Sequence, residues 1–351
     1  MKYKVGIVTN INGSGGMRTH FGGLFTALQK SFNVVVFNEN PYDKINKHEI
    51  ESCDYVIRYG WRQDEPYDFG NAIFNFNIKS EKTKNILVVC FDATMLNENL
   101  INEINRNFGT IFYDSFFSKN RGELAGISAS KTLVIQPQIL WKEFEKQERN
   151  SNEYKFLTVT NELFIIKGID ILLESFLEAF NSSESVSITI KTNEKDQEQK
   201  LIQLYLKKFK EEKRSHQMKV VSNNIPHHLM PNLYQQYDCY VLASRTETFG
   251  LPAIEAAFCG LDIIMHTWGG MNDYSEIINY KSVEGTIEQM PKNTWRKNNQ
   301  SNWFIPNKRN LIEHMKTAFE RKDTGNVEQS RIIQKFGLPS MLNKDLNEIL
   351  C

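Results

Sequence analysis

Short apolar runs of four to seven residues, rich in Val and Ile, recur along the chain with helical segments between them. A strand buried on both faces needs no polar alternation, so uninterrupted runs of this kind predict parallel sheets covered by helices. Residues 4–8, Asn33–Phe37 (NVVVF), Asp54–Tyr59 (DYVIRY), Ile86–Phe91 (ILVVCF), Gly109–Tyr113 (GTIFY) and Thr132–Ile135 (TLVI) are six such strands. Between the first two, Phe21, Leu24, Phe25 and Leu28 recur at spacings of three and four, the period of a helix with one buried face.

The series then begins again. Trp141–Asn152 is charged and reads as a linker, after which Tyr154–Thr160, Val186–Ile190, Lys219–Ser222, Cys239–Ala243 and Asp262–Met265 are strands. Helices are expected over 168–180, where Ile169, Leu172, Leu173, Phe176 and Leu177 share a face, over the charged amphipathic stretch 196–213, and over 231–236. Two β/α series in 351 residues imply an α/β protein of two Rossmann-like domains facing a central cleft. The divisions expected are 1–145, 153–330 and a C-terminal segment, 331–351.

Charge and cysteine usage narrow the classes. Lys plus Arg and Asp plus Glu both number 42, so the chain lacks the net positive field of a dedicated nucleic-acid binder. No run approaches the roughly 18 apolar residues of a membrane-spanning helix, and MKYKVGIVTN reads as a first strand, not as a signal peptide. Cys53, Cys90, Cys239, Cys259 and Cys351 form no CxxC and no zinc-like spacing. Reduced thiols in a cytoplasmic protein are the expectation.

The segment with most chemistry is Val241–Gly270, VLASRTETFGLPAIEAAFCGLDIIMHTWGG. A strand ends near Ala243 and a polar loop runs to Gly250. Pro252 suits a first helical turn, and Gly260 suits a left-handed helix end. The next strand runs into Trp268-Gly269-Gly270. Two glycine-bearing loops and a helix N-terminus therefore lie at the carboxyl ends of adjacent strands, where free N–H groups and the positive end of a helix suit a diphosphate. Glu247 before the helix and Glu255 about one turn into it can both face that mouth, as acceptors for sugar hydroxyls.

Glu247 and Glu255, in the context ETFGLPAIEA, resemble the E-x7-E motif of family-4 (group 1) retaining glycosyltransferases of the GT-B fold. The resemblance implies that Glu247 touches the donor sugar and Glu255 the donor ribose. Phe249, Gly250 and Leu251 would offer backbone to the diphosphate and sugar, with Arg245 beside them. Other segments follow in the family's order over nearly the whole chain. Gly15-Gly16-Met17-Arg18-Thr19-His20 resembles a phosphate-approaching first loop, with His20 on the acceptor side. Lys167-Gly168 before Leu172-Leu173 resembles the motif whose lysine neutralises the departing nucleotide. Ile225, in SNNIPHHLMPNL, falls where backbone meets the donor base. The adjacent His227 and His228 read as a solvated loop. Residues 336–350 resemble the C-terminal helix that crosses back to the first domain.

Three positions depart from the family's pattern. Glu162 stands where an Arg is usual, leaving the diphosphate clamp one cation short unless Arg245 or Arg18 replaces it. Phe91-Asp92 replaces a His-Asp pair, so Asp92 alone remains near the reacting centre. Lys191-Thr192 replaces a glycine.

The expectation is a retaining, metal-independent hexosyltransferase using a nucleoside-diphosphate sugar, UDP-sugar favoured, as co-substrate and no cofactor. Catalysis would rest on Glu247, Lys167 and Asp92, and donor binding on Gly15, Gly16, Arg245, Phe249, Gly250, Leu251, Glu255 and Ile225. No D-x-D metal motif is present; Asp64, Glu65 and Asp68 read as solvated loop charges. His20, Arg58 and Trp61 are acceptor-side candidates. The acceptor is open among glycan, lipid, protein and modified DNA base, as is peripheral membrane contact. Two other readings share the fold: a non-catalytic sugar-nucleotide-binding partner subunit and a sugar-nucleotide epimerase.

Overall fold

Parallel sheets form where the β-branched runs lie. The computed structural model describes residues 2–9, 16–38, 47–59, 82–91, 98–141, 152–160, 165–192, 199–291, 301–322, 329–337, 346 and 350. The chain divides into two compact units, one of Met1–Leu140, Gln289–Asn302 and Ile333–Cys351, the other of Trp141–Glu288 and Trp303–Ile332.

In the first unit, β1 (Lys4–Thr9), β2 (Asn33–Asn38), β3 (Tyr55–Tyr59), β4 (Lys84–Val89), β5 (Thr110–Tyr113) and β6 (Thr132–Val134) make a six-stranded sheet in the order β2-β1-β3-β4-β5-β6. All pairs are parallel, with Val5 opposite both Val34 and Tyr55. The helices are α1 (Gly16–Ser31), α2 (Lys47–Glu51), α3 (Glu98–Asn107) and α4 (Phe116–Leu124). On one face Val5, Ile7, Ile57 and Val88 pack with Leu24, Ala27 and Leu28 of α1, the helical stripe expected from spacing. On the other, Leu87, Val89 and Ile111 pack with Ile101 and Ile104 of α3. Leu346 and Leu350 join the first of these cores, and the Tyr55 hydroxyl donates to the Leu350 carbonyl.

In the second unit the order is β12-β11-β10-β7-β8-β9, again parallel throughout. The strands are β7 (Tyr154–Val159), β8 (Val186–Lys191), β9 (Met218–Val221), β10 (Cys239–Leu242), β11 (Asp262–Met265) and β12 (Lys281–Ser282). The helices are α5 (Ile169–Ala179), α6 (Gln199–Glu211), α7 (Met230–Tyr234), α8 (Leu251–Phe258), α9 (Lys308–Arg321) and α10 (Gln329–Ile332). Ile169, Leu172, Leu173 and Phe176 of α5 are fully buried against Phe156, Ile188 and Ile190, and Leu311 and Met315 of α9 enter the same core. Truncating a buried phenylalanine such as Phe176 to alanine costs about 3–5 kcal/mol.

Each sheet reverses direction once. In the first, the chain leaves β1 for β2 and returns to β3 on β1's other side. In the second it leaves β7 for β8 and β9 and returns to β10 on β7's other side. Loops diverge at these switch points and open a crevice at the carboxyl ends, the usual ligand position in open α/β sheets. The described cysteines, Cys53, Cys90, Cys239 and Cys259, are free thiols. Among the described residues, no helix is long and apolar enough to cross a membrane.

Candidate active site

The second switch point holds the charged residues of the motifs. Behind β7, residues 165–168 turn tightly toward β10. Gly168 has φ +65°, and a Cβ there would lie 1.9 Å from the Ala243 carbonyl oxygen. Only glycine lets this turn sit so close to the end of β10. The Arg245 N–H donates to the Ile166 carbonyl (2.7 Å), and the Ser244 hydroxyl donates to it as well (3.2 Å). This clasp brings Lys167 to Glu247: Nζ donates to Oε1 at 2.6 Å, with the side chains 21% and 14% exposed. Two residues 80 positions apart thus form a half-buried pair, open enough for a ligand to meet.

Arg245 is tied into the surrounding loops. Its guanidinium donates both terminal nitrogens to the Asp170 carboxylate, at 2.7 and 2.8 Å, and Nη1 also donates to the Ile165 carbonyl. It lies over the Trp303 ring, 5.2 Å from the centroid. The bidentate pair ties the β10 loop to the first turn of α5, so Arg245 braces the loops and does not stand free as a replacement cation. The other candidate replacement, Arg18, has no described side chain.

Gly250 caps α8 at φ +72°, and a Cβ there would meet Met271 Sδ at 2.8 Å and the Tyr274 hydroxyl at 2.9 Å. Its carbonyl accepts from Tyr274 (2.9 Å). Gly270 presses against the same loop, where a Cβ would lie 1.7 Å from the Thr248 carbonyl oxygen, and its N–H donates to the Glu247 carbonyl (3.2 Å). The backbone of 247–250 is therefore clamped from below, with Phe249 and Leu251 buried. Gly260 ends α8 at φ +75°, as its position implied.

Glu255 is 4% exposed on α8. The Tyr234 hydroxyl donates to Oε2 and His227 Nε2 to Oε1, both at 2.8 Å. A carboxylate accepts only, so Nε2 carries the proton. Burial, and secondarily Glu255, pushes the Tyr234 phenol well above its usual range. His227 also stacks on Trp141, centroids 4.9 Å apart. This corrects two expectations: His227 is a built part of the site, not solvated loop, and Trp141 packs into the second unit, touching Tyr234 and Phe258 as well. Residues 142–151 of the expected linker are outside the described ones. Ile225 is half-buried in the loop just before His227. His266, which follows β11, donates through Nε2 to the Ser244 carbonyl (2.6 Å). Burial lowers its pKa to about 4, against the opposing pull of backbone hydrogen bonds.

The first unit places its candidates otherwise. His20 is buried on α1; Nε2 lies 2.7 Å from the Ile135 carbonyl oxygen and Nδ1 3.1 Å from the Tyr59 hydroxyl. The carbonyl only accepts, so Nε2–H donates and the tyrosine hydroxyl donates to Nδ1. Burial lowers the His20 pKa and raises that of Tyr59. Arg58 is buried in β3 and does not form a rim. Gly16 opens α1. Gly15, Asp92 and Trp61 lie outside the described residues, as do Glu162, Asp64, Glu65 and Asp68. Among the described residues no three His, Cys, Asp or Glu side chains converge to hold a metal.

Two six-stranded parallel α/β units, with glycine turns and a helix bearing a buried glutamate at a switch point, define the GT-B class. Residues 141–287 match the family model for glycosyl transferases group 1. Solved structures of the same architecture cover almost the whole chain. Anabaena HepE, in complex with UDP-glucose, is 15% identical with a TM-score of 0.71 over 99% of both chains. Sucrose-phosphate synthase of Thermosynechococcus elongatus is 13% identical with a TM-score of 0.71, over 99% of this chain and 98% of that one. The lipopolysaccharide outer core galactosyltransferase WaaB is 14% identical with a TM-score of 0.61, over 97% and 98%. At these identities the likeness is one of fold. No curated protein sequence matches the chain.

Proposed function

We propose that the protein transfers a hexose from a nucleoside-diphosphate sugar, UDP-sugar favoured, to an acceptor hydroxyl with retention of the anomeric configuration. The observation that carries this reading is the Lys167–Glu247 pair, held at 2.6 Å beside the Gly250 end of α8. Diphosphate entering there meets the α8 N-terminus and the Lys167 ammonium, which stabilise the charge that develops as the glycosyl bond breaks. Glu247, released from Lys167 by the competing anion, accepts from a sugar hydroxyl. Glu255 has lone pairs left beyond those used by Tyr234 and His227, and takes the ribose hydroxyls. In front-face attack a donor phosphate oxygen accepts the acceptor proton, with both substrates held in contact. UDP and UDP-glucose in the HepE crystals support a uridine donor.

Charge balance in this arrangement is carried by protein groups, so turnover without a divalent metal is part of the proposal. The test is release of nucleoside diphosphate from UDP-, GDP-, ADP- and dTDP-sugars in excess EDTA after dialysis, with the product anomer read by NMR. Release from a UDP-sugar with a retained anomer supports the reading. Release from none of them, with or without magnesium, rejects the enzyme and leaves a binding subunit; an inverted anomer rejects retention. Conversion of the donor sugar without release of nucleotide would be the epimerase.

A further inference from the structure

Lysine and arginine at the second switch point are already engaged by carboxylates, Lys167 by Glu247 and Arg245 by Asp170. Lys191 differs. It is 5% exposed, and its Nζ donates to the Thr192 carbonyl at 3.0 Å and to no carboxylate among the described residues. Burying an ammonium is costly unless an anion accompanies it, and burial lowers the Lys191 pKa from the usual lysine range.

Its position follows from the strand register. Lys191 ends β8 at the carboxyl edge, opposite Val159 of β7, and its carbonyl accepts from the Thr160 N–H (2.8 Å). Ile188 and Ile190 point into the α5 core, so Thr189 and Lys191 leave the sheet on its other face. Leu157 pairs with both Thr189 and Tyr240, which puts Tyr240 on that face too. The Tyr240 ring lies 6.4 Å from that of Tyr234, the donor to Glu255. Lys191 therefore rises at the crevice edge on the side of the Glu255 cluster.

We propose that Lys191 is a donor-binding residue that pairs with the diphosphate of the nucleotide sugar. The inference rests on the nucleotide-sugar reading above and adds to it the cation that the engaged Arg245 does not supply. An anion arriving beside Nζ forms a charge-assisted hydrogen bond.

The test is calorimetry of UDP, UMP and uridine with the wild-type protein, Lys191→Met and Lys191→Arg, beside unliganded melting temperatures. Lys191→Met should weaken UDP binding at least about tenfold, leave uridine binding unchanged, and melt no lower than wild type without ligand. Lys191→Arg should recover part of the UDP affinity. If Lys191→Met does not fold, Lys191→Gln serves for the same comparison. Equal UDP affinity in the variant would overturn the proposal. An equal loss for UDP and uridine would overturn it as well, assigning the lysine to the base. A wild-type protein that binds no nucleoside diphosphate would instead refute the nucleotide-sugar reading itself.

Discussion

The two units reach their switch points by the same path, and the residues described beside them differ in chemistry. In the first, His20, Tyr59 and the Ile135 carbonyl satisfy one another inside the unit, and Arg58 is buried in β3. In the second, the equivalent place between β7 and β10 gathers Lys167, Glu247, Arg245 and Asp170. Topology supplies a crevice in both cases, while the loops decide what it can bind. Glycine positions differ too. A Cβ at Gly168 would lie 1.9 Å from the Ala243 carbonyl oxygen and one at Gly122, in the first unit, 2.1 Å from the Tyr113 hydroxyl, whereas a Cβ at Gly109 would meet nothing within 4 Å.

That glycine contrast gives the largest expected effect. Gly168→Ala forces a left-handed alanine into the Ala243 carbonyl, which should cost at least about 3 kcal/mol and lower the melting temperature by roughly 10 °C. Gly109→Ala should stay within about 0.5 kcal/mol. Equal melting of the two variants would dissolve the distinction. Lys167→Ala leaves Glu247 without its cation and the leaving group without neutralisation. A fall in kcat/KM worth at least about 2 kcal/mol, near thirtyfold, is expected in a donor-hydrolysis assay.

Both units also bury a histidine, and acid should find them. His266 has its folded pKa near 4, below the unfolded value of 6.5. The unfolded state therefore binds the proton first, and stability falls as pH drops from 6.5 toward 4. That site alone removes about 1.6 kcal/mol between pH 6.5 and pH 5. Denaturant unfolding of His266→Asn at the two pH values should show a loss smaller by that amount. Parallel losses in variant and wild type would assign the acid sensitivity elsewhere, His20 being the next group to examine. The smallest effect expected is Glu255→Gln. The amide keeps one acceptor oxygen for Tyr234 but gives up acceptor capacity toward the ribose, so UDP affinity should fall about tenfold, or about 1.4 kcal/mol. Unchanged affinity would make Glu255 a structural partner of Tyr234 and His227 only.

Strands were legible wherever a β-branched run was long enough to be buried on both faces, as at Val34–Val36 and Ile188–Ile190. β12, two residues long with Lys281 and Ser282, carries no such signal. α9 is read only once Leu311, Met315 and Ala318 are seen facing α5, because its other positions are charged and its partner lies far back in the chain. At the site, Glu247, Gly250 and Glu255 stood out by spacing and turn chemistry, and Lys167 by its resemblance to the family motif. What spacing could not show is pairing across the fold. His227 meets Glu255 28 residues away, and Arg245 meets Asp170 75 residues away. Adjacent histidines and a loop arginine look alike in sequence whether they face water or a carboxylate. Lys191 was visible as a departure from the family's glycine at a strand end, but that it meets no carboxylate among the described residues is a fact of packing.

The central claim is that the second unit's switch point performs the chemistry through Glu247 while other groups hold the nucleotide. Glu247→Ala, assayed for donor hydrolysis with UDP-glucose and for UDP binding by calorimetry, addresses both halves at once. A loss of turnover of at least about a hundredfold, worth about 3 kcal/mol of barrier, with UDP affinity unchanged, is the result expected from a carboxylate that faces the sugar. Wild-type turnover in a folded Glu247→Ala protein would contradict it.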